Sequence, residues 1–223
     1  MDPSETARTQ SRYDRQSRLY DLTEAPMELL ALGRLRRRLW ADVRGDALLE
    51  VGVGTGKNLP HYPKGARMVA VDLSPKMLRR AASRARRLGL DVDLVLADAQ
   101  RLPFREDVFD AAAATCVFCS VPDPMAGLGE VRRVVRHGGR VHLLEHVRAR
   151  NALVGRLMDF MNPVAVRLTG ANINRDTVSN VAKAGIGLDS VESRGFGLVK
   201  LIRGSPGAGR PSRGEPAERA GRR

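Results

Sequence analysis

The run Leu48-Leu49-Glu50-Val51-Gly52-Val53-Gly54-Thr55-Gly56 constrains this chain more than any other segment. An apolar strand meets an acidic residue and then three glycines at every second position. Without a Cβ, glycine can take a positive φ and leave room for a ligand against the main chain. Further apolar runs follow at Val69-Ala70-Val71-Asp72, Leu94-Val95-Leu96-Ala97-Asp98-Ala99, Phe109 to Phe118, and Arg140 to His146 after Gly138-Gly139. Helical patterns over 75–88, 124–137 and 152–168 fill the gaps, and Ser74-Pro75 and Pro122-Asp123-Pro124 mark two of their starts. Strands alternating with helices predict βαβ units, and strands apolar throughout are what a parallel sheet covered on both faces requires. The fold class is therefore α/β: a Rossmann-like, doubly wound, mostly parallel sheet.

The glycine spacing narrows the ligand. A dinucleotide fingerprint needs its third glycine at the sixth position, where this chain has Lys57; the third glycine comes one place early, at Gly56. A Walker loop needs Ser or Thr after Gly-Lys, and Gly56-Lys57 is followed by Asn58. NAD, FAD and ATP-type phosphate binding are disfavoured together. Asp72 ends the second strand twenty positions after Gly52, where doubly wound folds place a carboxylate that accepts from ribose hydroxyls. A helix cap is the competing role, but Ser74 fills it better.

Glu50-x-Gly52-x-Gly54-x-Gly56 resembles the first motif of the class I S-adenosylmethionine-dependent methyltransferases. The resemblance implies S-adenosylmethionine as cofactor, held by Glu50, Gly52, Gly54, Gly56, Asp72 and Leu73, with Asp98 and Ala99 at the adenine and Cys116 and Tyr20 beside the methyl donor. It also implies a late antiparallel hairpin near Gly187 to Ile202, completing seven strands. Tyr13-Asp14-Arg15 and Tyr20-Asp21 look like the repeated Tyr-Asp of quinone-biosynthesis C-methyltransferases and bacterial phospholipid N-methyltransferases, in which an N-terminal helix closes over the cofactor. Val117 to Val121, Leu144-Glu145-His146-Val147 and Gly170-x-Asn172-x-x-Arg175-Asp176-Thr177 look like blocks of membrane-associated methyltransferases acting on small thiols. The implied activity is methyl transfer to a small lipophilic acceptor: a quinone precursor, a phospholipid head group or a thiol.

With 223 residues and 43% hydrophobic content the chain can bury one substantial core. One domain is expected over 13–203, its N-terminal helix serving as a cover, with residues 1–12 and the basic tail 204–223 disordered. Neither a signal peptide nor a run of eighteen apolar residues is present, so a cytoplasmic location is expected, with peripheral contact at an anionic membrane left open. Cys116-x-x-Cys119 ends an apolar strand rather than opening a helix, and no second Cys pair exists, which argues against redox or metal chemistry; these residues are expected to line the floor between cofactor and acceptor.

The net charge of +13 draws polyanions, yet much of it falls on helical stretches where charge marks a solvated face. Arg34-Leu35-Arg36-Arg37-Arg38-Leu39-Trp40 is the best local candidate for such contact. A nucleic-acid acceptor is disfavoured. The Asn/Asp-Pro-Pro-Tyr/Phe motif of amino methylation is replaced by Thr115-Cys116-Val117-Phe118, no Pro-Cys nucleophile exists, and 4% aromatic content leaves few platforms for a splayed base. His146, at the end of the fifth strand, is the candidate general base; the alternative is that Glu145 and His146 only tie down the following loop. In 151–169, Leu153 and Leu157 are expected in the core, Phe160 and Met161 at an acceptor pocket or a membrane, and Asn172 against the acceptor. An RNA methyltransferase, a nicotinamide oxidoreductase and a cofactor-binding protein without turnover are the rival functions; the oligomeric state is open.

Overall fold

In the computed structural model, which describes residues 3–23, 25, 28 and 32–207, each apolar run becomes a strand. These are β1 (Ala47–Val51), β2 (Arg67–Asp72), β3 (Asp93–Leu96), β4 (Phe109–Thr115) and β5 (Val135–His146), followed by β6 (Ile186–Arg194) and β7 (Val199–Pro206). They form one sheet in the order β3-β2-β1-β4-β5-β7-β6. The first five pair in parallel, and β7 is antiparallel to both β5 and β6, which is the expected late hairpin. The order reverses between β1 and β4, so their C-terminal ends splay at the point where open α/β sheets hold ligands.

Side-chain alternation divides the core into two layers. Leu49, Val51, Val69, Val71, Ala112, Ala114, Val141 and Leu143 meet Leu128 and Val131 of helix α5 (Pro124–Val134) on one face. Leu48, Met68, Ala111, Ala113 and Leu144 meet Leu39 and Trp40 of helix α3 (Gly33–Asp42) on the other. The Ala111–Ala114 run lets helices approach β4 closely on both sides. Helix α4 (Pro75–Leu88) starts as its sequence predicts: the Ser74 hydroxyl accepts from Met77 N, Pro75 opens the first turn, and Gly89 closes the helix at φ 63°. Helices α6 (Ala152–Thr169) and α7 (Thr177–Lys183) connect β5 to the hairpin.

Four boundaries differ from expectation. Helix α1 occupies Pro3–Gln16, so residues 3–12, expected to be disordered, are helical; their Thr6 and Gln10 side chains bond to the ends of strands β3 and β2 rather than burying apolar area. A short helix α2 follows at Tyr20–Thr23. Strand β4 stops at Thr115 because Cys116 turns at φ 54°. Strand β5 begins at Val135, paired with Phe109, and cuts α5 short; Gly138 lies within the strand at φ 78°. Leu153 and Leu157, expected in the core, are exposed, because α6 turns Gly155 and Met158 inward instead. Strand β7 continues to Pro206, past the expected boundary at 203, while the rest of the tail, 208–223, lies outside the described residues.

Phe118 is fully buried among Val121, Leu128 and the β4 layer. Phe118→Ala is expected to lower unfolding stability by about 3–5 kcal/mol, read by urea denaturation; a loss well under that range would mean that the turn after β4 is not packed against α5.

Candidate active site

A cleft opens at the C-terminal ends of β1, β2 and β4 beneath α1 and α2. Of the residues expected at the cofactor, Tyr20, Gly52, Gly54, Asp72, Leu73, Asp98, Ala99 and Cys116 all line it. The glycine turn gives the cleft its floor. Gly52 sits at φ 73°, and a Cβ there would come within 2.4 Å of Val117 Cγ2, so only glycine fits between the two strand ends. Gly54 has φ 56° and nothing within 4 Å of where its Cβ would stand, so its outer side is open to an incoming group.

Asp72 locks this turn. Its Oδ2 accepts from Gly54 N at 2.8 Å and its Oδ1 from Ser74 N at 2.8 Å. Burial raises the carboxyl above its ordinary range, while the backbone donors pull it back. Each oxygen retains a lone pair for a ligand hydroxyl. Asp98 stands one strand over, its Oδ1 accepting from Gln100 N at 2.9 Å and its Oδ2 from the Thr6 hydroxyl at 3.3 Å.

The roof is tied down residue by residue. Gln10 Nε2 donates to Leu73 O at 3.1 Å, Asp14 Oδ1 accepts from the Ser74 hydroxyl at 2.5 Å, and Tyr13 OH donates to Ser120 Oγ at 2.6 Å. On α2, Asp21 accepts from Thr55 Oγ1 at 2.6 Å and Arg84 at 2.9 Å. Burial alone would raise the Asp21 carboxyl, but Thr55 and Arg84 outweigh it and hold the group below its usual range. Tyr13 and Ser120 were not picked out as site residues from sequence, although the repeated Tyr-Asp carried the signal for the first.

The remaining expected site residues lie off the cleft lining, each for a visible reason. Glu50 shares the inner face of β1 with Leu48 and is wholly buried; it accepts from Asn58 Nδ2 and the Tyr62 hydroxyl, and burial lifts its carboxyl to about 7. Gly56 packs against Leu59, where a Cβ would fall 2.5 Å from Leu59 Cδ1. His146, the expected base, pairs across to Val199 of the hairpin, away from the β1–β4 opening, and burial lowers its pKa. Asn172 gives its backbone N and Nδ2 to Cys119 O at 2.8 and 3.1 Å, so it fixes the loop behind Ser120. Phe160 and Met161 point outward from α6.

Glu145, expected as an alternative to tie down the loop that follows β5, holds the turn after β4 instead. Glu145 Oε1 accepts from Val117 N at 2.9 Å and Phe118 N at 3.1 Å, shaping the turn that carries Cys116 and Ser120. Burial lifts its carboxyl to about 7.

Two carboxylates at successive strand ends, an open glycine turn and a lining with no lysine or arginine among the described residues suit an adenosyl group without phosphates. Comparison with known proteins agrees. The family profile described as a methyltransferase domain matches residues 49–143. A demethylmenaquinone methyltransferase of Clavibacter sepedonicus is 34% identical over 92% of this chain and 93% of its own length. A phosphatidylethanolamine N-methyltransferase of Cereibacter sphaeroides is 39% identical, over 50% of this chain and 57% of its own. The crystal structure of an S-adenosylmethionine-dependent methyltransferase from Thermotoga maritima, described as a possible histamine N-methyltransferase, superposes with a TM-score of 0.66 over 89% of this chain and 99% of that one at 21% identity.

Glu145 predicts a pH dependence. Its folded pKa of about 7 lies above the 4.5 of an unperturbed glutamate, so between those values the folded chain holds a proton that the unfolded chain has lost. Stability from this group is full below about pH 4.5 and falls as pH rises toward 7, by up to ~1.4 kcal/mol per pH unit. Glu145→Gln should flatten that decline in denaturation curves taken across the window; an unchanged slope would show that the carboxyl is ionised in the fold.

Proposed function

The chain belongs to the class I S-adenosylmethionine-dependent methyltransferases, and on that premise we propose that it methylates a small, uncharged lipophilic acceptor of the quinone-precursor type. The observation that carries this reading is the make-up of the cleft beyond the glycine turn. Tyr13, Ser120, Val121 and Pro122 offer apolar walls and a hydroxyl pair, no lysine or arginine is among the lining residues, and Arg175 behind them gives its Nη2 to the Val121 and Pro122 carbonyls. A nucleic-acid strand or a phospholipid head group would carry phosphate into the site; a quinone-type ring, or a thiol, would not. The similarity of the Clavibacter enzyme over nearly its full length supports the ring.

S-adenosylmethionine supplies a methyl group already activated on a sulfonium, so the protein's task is to hold two reactants in line and keep water out. Asp72 would receive the ribose hydroxyls, Asp98 and Ala99 would bound the adenine, and the Gly52–Gly54 turn would lie against the rest of the donor, with Leu73, Cys116 and Tyr20 around it. Glu50 and Gly56 support this turn from beneath. Tyr13 would orient the acceptor. Its phenol is pushed upward, above all by burial, so at neutral pH it acts as a hydrogen-bond donor and not as a base. His146 sits off the cleft, and transfer is proposed to proceed by alignment without it.

Gly54→Val, which forces a β-branched residue into φ 56°, and Asp72→Ala should each abolish S-adenosylmethionine binding in calorimetry while the far-ultraviolet circular dichroism stays that of the parent. Undiminished binding in both would sink the assignment. Tyr13→Phe should reduce kcat/KM for a demethylquinone acceptor by about tenfold with the cofactor affinity within about twofold. Label recovered from cell extract in the RNA fraction instead of the lipid-soluble fraction would overturn the acceptor class.

A further inference from the structure

Helix α6 turns two different faces outward and inward. Leu153, Leu157, Phe160, Val164 and Leu168 recur every three or four residues and form one stripe along the helix. The stripe is left in solvent: Leu153 and Phe160 are each 79% exposed and Leu168 is 69% exposed. The opposite face is anchored, with Met158 buried and Gly155 so close to Arg148 that a Cβ would fall 2.5 Å from its Nη1. Five large apolar side chains along one helix make a patch of the kind that marks an interaction surface.

The charges beside the stripe state what it meets. Arg156 and Arg167 border it, and no carboxylate of the described residues pairs with either. The helix has one acid, Asp159, and it is occupied by Arg148 at 2.8 Å and Asn174 Nδ2 at 3.1 Å. Where α6 begins, a cavity of about 310 Å³ lies between it and the β6–β7 turn, bounded by Arg150, Val154, Phe196, Leu198 and Lys200. Phe196 at its rim is fully exposed. Lys200 is only 7% exposed, yet its Nζ meets the Ser193 hydroxyl at 2.5 Å and, among the described residues, no carboxylate. An apolar stripe bordered by Arg156 and Arg167, with Arg150 where the helix begins, is complementary to a surface that is oily inside and anionic outside. A second copy of this chain fits less well, because a twofold contact through α6 would add the same cations again with no acid left to pair with them.

We propose that α6 and the β6–β7 turn dock on an anionic phospholipid bilayer. Leu153, Leu157, Phe160 and Phe196 enter the boundary between head groups and acyl chains, and Arg150, Arg156 and Arg167 face the lipid phosphates. Asn162 of α6 accepts from Ile173 N at 2.9 Å and donates to Asn172, which holds Cys119 O, so the docked helix is joined directly to the loop carrying Ser120 at the cleft. The docking stands apart from the acceptor reading, since it needs neither methyl donor nor acceptor.

The test is flotation of the full chain with phosphatidylcholine vesicles with and without phosphatidylglycerol, alongside S-adenosylmethionine calorimetry on the same samples. The parent should float with phosphatidylglycerol vesicles and stay behind with phosphatidylcholine alone. Leu153→Ser with Phe160→Ser, which leaves the charge unchanged at two exposed positions, should lower the partition coefficient about tenfold or more and leave cofactor binding intact. Arg156→Gln with Arg167→Gln should weaken binding and its salt dependence together. Three results would overturn the docking: a parent that never floats, serine variants that float as well as the parent, so that net charge alone accounts for binding, or a dimer in sedimentation that the serine pair splits without any vesicle binding. Competition by inorganic phosphate equal to that of phosphatidylglycerol would reassign the cavity to free anions. Loss of cofactor binding in the parent would fail the methyltransferase assignment and leave the docking result standing.

Discussion

The Asp72 carboxylate holding the Gly54 amide is the contact on which the rest of the site depends. Parallel strands β1 and β2 are paired through Val51 and Val71, and beyond that register nothing in the ladder fixes where each chain goes. Gly52 N and Val53 N still reach Val71 O, at 2.8 and 3.0 Å; one residue on, the ladder is replaced by a side chain. A carboxylate there does two things at once. It satisfies a backbone donor that a tight turn would leave unpaired, and it brings a negative charge with spare lone pairs to the floor of a cleft. Ser74, on Asp72's other oxygen, then starts α4, so turn, ligand group and helix start share one residue.

The same device recurs at β4 and β5. Cys116 leaves the strand at φ 54°, and the next two amides are received by Glu145 from the neighbouring strand. Glu50 does the corresponding work beneath the glycine turn through Asn58 and Tyr62. Two buried carboxyls, each lifted to about 7 by loss of water, are costly in isolation; they persist because each holds loop groups that no helix or sheet could satisfy. Glu50 and Glu145, outside the lining, thus share with Asp72 the shaping of the cleft.

These facts decide what could be read from the chain alone. Parallel strands buried on both faces are continuous apolar runs, so Leu48–Val51, Val69–Val71 and Phe109–Thr115 were visible, and with them the glycine turn and the two acids at the strand ends. The cofactor half of the site was legible because it is built from strand ends and backbone, and the spacing of those is dictated by the sheet. His146 was placed at the acceptor because it ends a strand in sequence, and Asn172 because of the Gly170-x-Asn172 block, but the pairing of β5 and the Cys119 carbonyl turn them to other tasks. Tyr13 and Ser120 come together from opposite parts of the fold, 107 residues apart, and no local pattern announces such a pair. The helix of residues 3–16 was hidden for a related reason: its partners are polar groups at strand ends, so it lacks the apolar periodicity by which helices are recognised.

Helix α6 tests that periodicity from the other side. Its apolar residues do recur at helical spacing, and the ordinary inference buries them, yet the buried positions are Gly155 and Met158, with Asn162 half-buried beside them. The inward face is selected by close approach and by hydrogen bonds, since Gly155 admits the Arg148 guanidinium and Asn162 holds the backbone of Ile173. Once those contacts fix the helix, its rotation is fixed too, and the leucines have nowhere to turn but outward. An apolar stripe held in water by specific polar contacts on its reverse is a stable arrangement of the chain only at a free-energy cost of its own. That cost is offset when a second apolar phase covers the stripe. Arg156 and Arg167 border the stripe, and the one acid of the helix, Asp159, already pairs with Arg148.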